Sequence, residues 1–203
     1  IISTPSISSI SMLRRQIKGR LAAPKSIAVI ADPVFSSDDE RVKPVAANAS
    51  SLEPQTFRQP ATVRNLMIEN AARKTGVVRD GVIQRLPFSR REAESILAVA
   101  PTGEELQALD FDANRSTALN TVMSQYRIIH FAAHGILDSE HPELSGIILS
   151  LVREDGSPVN GFLRLNEIYN LNLSADLVVL SACQTALGKE VRGEGLIGLT
   201  RGF

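Results

Sequence analysis

LVVLSACQTALG, Leu177 to Gly188, sets four consecutive apolar residues ahead of a small polar turn that carries Cys183, the one cysteine of the chain. A short apolar run that ends in a turn is the pattern of a buried parallel strand, and open α/β sheets collect their reactive groups at the carboxyl ends of such strands. A second stretch, YRIIHFAAHG from Tyr126 to Gly135, has the same form and ends in His134 and Gly135. The two strand ends are expected to face one another, which brings a thiol and an imidazole to one sheet edge. A thiol at a strand end, ahead of a turn and a helix start, is placed for thiolate chemistry on a carbonyl. His134 then protonates the leaving amine and helps to deprotonate the thiol. Gly135 has no side chain, so its amide can approach a developing oxyanion and, with the Cys183 amide, make a two-donor hole.

Cys183 follows His134 by 49 residues, and the caspase-type signature separates its histidine and cysteine by about 50. Four blocks extend this likeness: HFAAHG at His130 to Gly135, HPELSGIIL at His141 to Leu149, LSACQTALG at Leu180 to Gly188, and GEGLIGLTRGF at Gly193 to Phe203. In this order and spacing the chain resembles the CHAT family, closely from about Ser89 to the last residue and more loosely back to Ile27. The resemblance implies an α/β fold, a caspase-like sandwich with a mostly parallel central sheet flanked by helices. It also implies a cysteine endopeptidase with His134 and Cys183 as catalytic pair, a protein or peptide substrate, and an upstream tetratricopeptide-repeat region. In relatives of this fold the residue two before the cysteine and the residue after the first strand line the substrate pocket, which here gives Ser181 and Asp32. Asp32 would favour lysine or arginine, and its plainer reading is a turn aspartate before proline. The block reads Ser-Ala-Cys-Gln-Thr, not Gln-Ala-Cys, so a caspase preference for aspartate does not carry over. With a basic preference, Lys189 and Arg192 are the natural place for self-processing. The rival class is a catalytically silent CHAT scaffold or interaction module.

At 203 residues the chain can build one sizeable α/β core. Its 22 basic and 22 acidic residues cancel, which points away from nucleic acid and from anionic membranes. No apolar run approaches the roughly 18 residues of a span, and Ile1 to Ala23 lacks the form of a signal peptide. One cysteine makes no internal disulfide, so a reducing, cytoplasmic setting is expected. The histidines and the cysteine match no compact zinc spacing, and neither a dinucleotide fingerprint nor a P-loop is present, so no cofactor is expected. Because the chain starts on Ile1 and stops at Phe203 inside a helical pattern, it reads as a fragment of a longer protein.

Residues 1–25 read as an N-terminal strand and helix element, either part of the same domain or a junction to an upstream region, with Ile7, Ile10, Leu13 and Ile17 on one face. Residues 26–203 read as the CHAT domain, truncated at its C-terminus. Ser26 to Ala31 is the first central strand and puts Asp32 at the same sheet edge as the catalytic pair. Residues 34–60, rich in proline and small residues, read as a long, partly mobile surface loop, which shapes a substrate groove, carries a cleavage site or is a tolerated insertion. Ala61 to Lys74 reads as a helix, and Val77 to Leu86 around Asp80-Gly81 as a hairpin. Ser89 and Glu92 form a capping-box pattern opening a helix whose core face is Ala93, Ile96, Leu97 and Ala100. Gln107 to Leu109 is a short strand, and Asp112 or Asn114 caps a helix through Leu119, Val122 and Met123. Gly146 to Val152 and Gly161 to Leu165 flank a Glu154-Asp155-Gly156 turn. Asn166 to Leu171 is a crossover helix. His130, inside its strand, is expected to be a buried structural residue, and His141 an exposed one.

Overall fold

The computed structural model describes residues 22–43, 73, 77–79, 82–136, 138 and 141–181. The N-terminal helix pattern, residues 44–60, the helix expected over 61–74 apart from Arg73, and everything after Ser181, Cys183 included, lie outside the described residues. In chain order the elements are β1 (Lys25–Pro33), β2 (Val78–Arg79), β3 (Val82–Ile83), α1 (Pro87–Leu97), β4 (Glu105–Asp110), α2 (Arg115–Ala118), β5 (Tyr126–Ala132), β6 (His134–Ile136), β7 (Gly146–Ile148), β8 (Phe162–Arg164), α3 (Leu165–Tyr169) and β9 (Leu177–Ser181). Single 3₁₀ turns at Thr121–Gln125 and Pro142–Leu144 precede β5 and β7.

Four strands form a parallel sheet in the order β4-β1-β5-β9. Its centre is β1, whose Ala28 to Ala31 are fully buried because both faces of the strand are covered. Successive side chains alternate between faces. Ile27, Val29 and Ala31 pack with Ala93, Ile96 and Leu97 of α1. Ala28 and Ile30 pack on the other side with Ala118, Met123, Leu163 and Ile168. This is the α/β layering expected from the sequence. β9, expected as a buried strand, is parallel to β5 but only half-buried, since among the described residues it is an edge strand, as β4 is on the other side.

Helix α1 starts three residues before the expected position, with Leu86 and not Ser89 as its N-cap. Pro87 occupies its first turn, where a fixed φ and a missing N–H cost nothing. The expected capping box is not made: the Ser89 hydroxyl donates back to the Leu86 carbonyl at 2.7 Å, and Glu92 faces His130. The helix expected through Met123 is broken in two, because Asn114 caps α2 and Asn120 caps the following 3₁₀ turn. The face Ala93, Ile96, Leu97 and Ala100 is inward as expected.

At Ala133 the chain leaves the parallel sheet and enters a three-stranded antiparallel sheet, β6-β7-β8, so His134 opens a new strand instead of ending β5. The β2-β3 hairpin is present, and with Val77 it packs through Val78 and Ile83 on Ile136, Ile148 and Phe162. The turn at Glu154-Asp155-Gly156 has Gly156 at φ +83. No helix among the described residues is long and apolar enough to cross a membrane.

Two glycines let these sheets close. A Cβ on Gly161 would lie 2.2 Å from the Ser150 carbonyl oxygen, and one on Gly146 would lie 2.3 Å from that of Leu163. Backbone oxygens cannot rotate away, so Gly161→Ala is expected to cost about 3 kcal/mol, the upper part of the range for overpacking. A lowered urea midpoint with an unchanged slope checks this.

Candidate active site

The site is assembled at the carboxyl edge of the parallel sheet. Ala31 pairs with Ala132, and Ala132 pairs with Ser181, so β1, β5 and β9 run out at the same level. Asp32 follows Ala31, His134 follows Ala132 by two residues, and Cys183 follows Ser181 by two in sequence. The structure therefore brings Asp32, Ser181, His134 and Gly135 to one edge, and Cys183 lies just outside the described residues.

Asp32 sits at φ +50 and Asp110, at the end of the neighbouring β4, at φ +52. Aspartate is among the few non-glycine residues that tolerate this region. Both turns aim their carboxylates at one cluster of arginines. Arg85 grips Asp32 with two bonds, Nε to Oδ1 at 2.9 Å and Nη2 to Oδ2 at 2.8 Å. Arg90 Nε donates to Asp32 Oδ2 at 2.8 Å and its Nη2 to Asp110. Arg41 Nη1 lies 3.1 Å from Asp32 Oδ2, donates to the Asp32 carbonyl at 2.9 Å and to Asp110 Oδ1 at 2.7 Å, and also holds Asp39. The Asp32 side chain has no exposed surface. The part of the 34–60 loop that is described is thus an ordered turn that delivers Arg41 inward. Ser150, fully buried, ties the two strand exits together: its hydroxyl donates to the Asp110 carbonyl at 2.6 Å and accepts from the Val34 N–H at 3.0 Å.

His134 is 2% exposed. Its Nε2 lies 2.6 Å from the Gln84 carbonyl oxygen, and since a carbonyl only accepts, Nε2 carries the proton. Nδ1 is then a lone-pair acceptor, buried and without a hydrogen-bond partner among the described residues. The Phe35 ring lies against the imidazole at 5.5 Å between centroids. Gly135 is buried in β6 opposite Ile147. His130 is buried and bonded to Glu92 at 3.1 Å, and His141 is exposed, both as expected.

Burial lowers the pKa of His134, with the Gln84 carbonyl opposing in part. The unfolded chain therefore takes up this proton first, and stability falls as the pH drops below about 6.5. Asp39 is lowered to about 2 by its hydrogen bond from Arg41. Burial raises Asp110, but the Arg90 and Arg41 bonds outweigh it and leave it lowered. Their stabilisation is present above the unfolded carboxylate range and is lost as the pH falls through it. Urea midpoints are expected to decline in two stages, below about pH 6.5 and again below about pH 4, and His134→Gln to remove the first stage.

The arginine shell, the Gln84 carbonyl and Ser150 were not among the residues picked out from sequence. Most of these partners are remote in the chain, and even Arg41, nine residues from Asp32, carries no local mark of its destination.

A mostly parallel sheet flanked by helices, with reactive groups at its carboxyl edge, places this chain in the caspase-like class of α/β folds. The family model of the CHAT domain matches residues 1–203, and the chain belongs to the CHAT domain family. That match takes in the N-terminal residues as well as the blocks around His134. No curated protein and no solved structure matches the chain.

Proposed function

We propose that the chain is the peptidase domain of a caspase-like cysteine endopeptidase, with Cys183 as nucleophile and His134 as general acid and base. The observation that carries this reading is His134 at the sheet edge with a buried, unpartnered Nδ1, two residues past Ala132, whose strand partner Ser181 stands two residues before Cys183. A buried acceptor without a donor costs stability and is kept where chemistry needs it. The Cys183 thiol gives its proton to His134, and the thiolate attacks the peptide carbonyl carbon. The Gly135 and Cys183 amides hold the resulting oxyanion. The oxyanion collapses, the C–N bond breaks, and the amine leaves with the proton from His134. Water then gives a proton to His134, its hydroxide attacks the thioester, and the thiolate leaves and is reprotonated. Asp32, with Ser181 as a neutral neighbour, selects lysine or arginine in the pocket. The substrate is a protein, the setting is reducing and cytoplasmic, and a tetratricopeptide-repeat region lies upstream in the parent protein. Neither nucleic acid nor membrane is a partner.

One observation favours the silent scaffold reading: His134 is covered. Cleavage of an unbiased peptide library by the full-length parent, beside Cys183→Ala and His134→Ala, separates the two. Cuts after basic residues that vanish in both variants support the peptidase. Identical patterns in all three proteins, with candidate activators present, would leave the scaffold.

A further inference from the structure

A hydrogen bond to one ring nitrogen does not by itself aim the other. The torsion that turns an imidazole about its Cβ–Cγ bond is soft and roughly two-fold. Nε2 lies nearer than Nδ1 to the axis of that torsion. The bond to the Gln84 carbonyl therefore selects the tautomer and only loosely restrains the swing of Nδ1. Nδ1 is the atom that the proposed reaction uses, and it has no hydrogen-bond partner among the described residues to steady it. What bears on the imidazole is the ring of Phe35, with centroids 5.5 Å apart and planes tilted by 40°, within the range of a favourable aromatic pair. We infer that Phe35 is a positioning residue: its ring, fixed by the chain on either side of it, stops the swing of the His134 imidazole and keeps Nδ1 on its target. The inference rests on the peptidase reading above.

The chain around Phe35 makes its ring a rigid stop. Val34, which has no exposed surface, gives its N–H to the hydroxyl of the fully buried Ser150 at 3.0 Å, and its carbonyl accepts from the Leu151 N–H at 2.8 Å. On the other side Ser36 closes a turn. Its carbonyl accepts from the Asp39 N–H at 3.2 Å and its hydroxyl from the Asp38 N–H at 3.1 Å. Arg41 then ties the end of the segment to the Asp32 carbonyl and to Asp110.

Phe35 also packs on the apolar cluster that contains Ile148 and Phe162. His134 pairs with Ile148, and Ile148 with Phe162; directly paired residues share a face of the sheet. The ring and the imidazole thus rest on one surface, and neither can move aside without the other. A side chain on a loose loop would follow the imidazole as it turned, whereas one anchored at both neighbours does not.

The test uses the full-length parent and two readouts. One is kcat and KM for a peptide with arginine at the cut site. The other needs no turnover: the imidazole nitrogen NMR shifts of His134 in the Cys183→Ala background, which report the nitrogen that carries the proton. Phe35→Ala is expected to turn the Nε2–H form into a mixture with the Nδ1–H form, because a ring that turns no longer stays on the Gln84 carbonyl. It is also expected to lower kcat about ten- to a hundredfold with little change in KM, since misplacing a reacting group by about 1 Å can cost a hundredfold. Phe35→Tyr keeps the ring and is expected to restore both readouts. Phe35→Leu keeps apolar bulk without a ring, is expected to act in the same direction as Phe35→Ala, and stands in should that variant not fold. Lys43→Ala, on the same segment at an exposed pair with Glu154, leaves both unchanged. A mixed proton position with no cleavage by the wild-type parent would keep the stop and overturn the peptidase reading. In a parent that does cut, an unchanged proton position, or a changed one with kcat intact, would overturn the positioning role alone.

Discussion

Asp32→Asn is expected to lower the unfolding free energy by about 3 kcal/mol, the low end of what removing one partner of a buried ion pair costs. Asparagine keeps the shape of the side chain and tolerates the left-handed backbone at φ +50, so the loss reads the charge itself. Arg41, Arg85 and Arg90 all meet Oδ2, and an amide group in its place removes that acceptor and the charge and points N–H donors at guanidinium donors. The arginines are partly exposed and regain some water, which holds the cost to the low end of the range. Asp32→Ala is expected to cost about 1 kcal/mol more, because alanine has a Cβ and no polar group to ease that conformation. Urea unfolding of both variants is the measurement. A loss below about 0.5 kcal/mol for Asp32→Asn, the size of an ordinary surface change, would mean that the cluster does not hold the edge of the sheet.

His134 carries the second large effect, and here activity and stability are expected to separate. His134→Ala and His134→Leu are expected to reduce kcat for peptide cleavage by about a hundred- to ten-thousandfold, the contribution of a positioned general acid and base. KM should change little, because in the proposed reaction His134 acts on the reacting atoms while Asp32 binds the side chain. Stability should respond the other way. Leucine fills a similar volume among Phe35, Ile136 and their neighbours and removes a buried nitrogen that has no hydrogen-bond partner among the described residues. His134→Leu is therefore expected to stay within about 1 kcal/mol of the wild type or to be more stable. A loss of about 3 kcal/mol or more would make His134 a structural residue, and the case for the peptidase would fall with it.

Much of the fold is legible in the chain itself. The runs at Ile27 to Ala31, Ile128 to Ala133 and Leu177 to Leu180 announce strands, and their unbroken apolar character announces parallel ones, because both faces must be buried. Alternation of side chains and the placing of His134 past such a run follow from local geometry alone. The hairpin around Asp80-Gly81 and the turn at Gly156 are equally local, since backbone freedom is a property of single residues. Where Ser89 and Glu92 go was not legible. The sequence offers them to each other, and the folded chain gives the hydroxyl to Leu86 and the carboxylate to His130, 38 residues away. Asp32 finds Arg85 and Arg90 at separations of 53 and 58 residues, and Gln84 reaches His134 across 50. Hydrophobic periodicity is written in neighbouring residues, so the elements and the sheet edge that carries the site came from sequence alone. Ion pairs and single hydrogen bonds depend on which distant segments the packing brings together, so only the tertiary structure decided how that edge is filled.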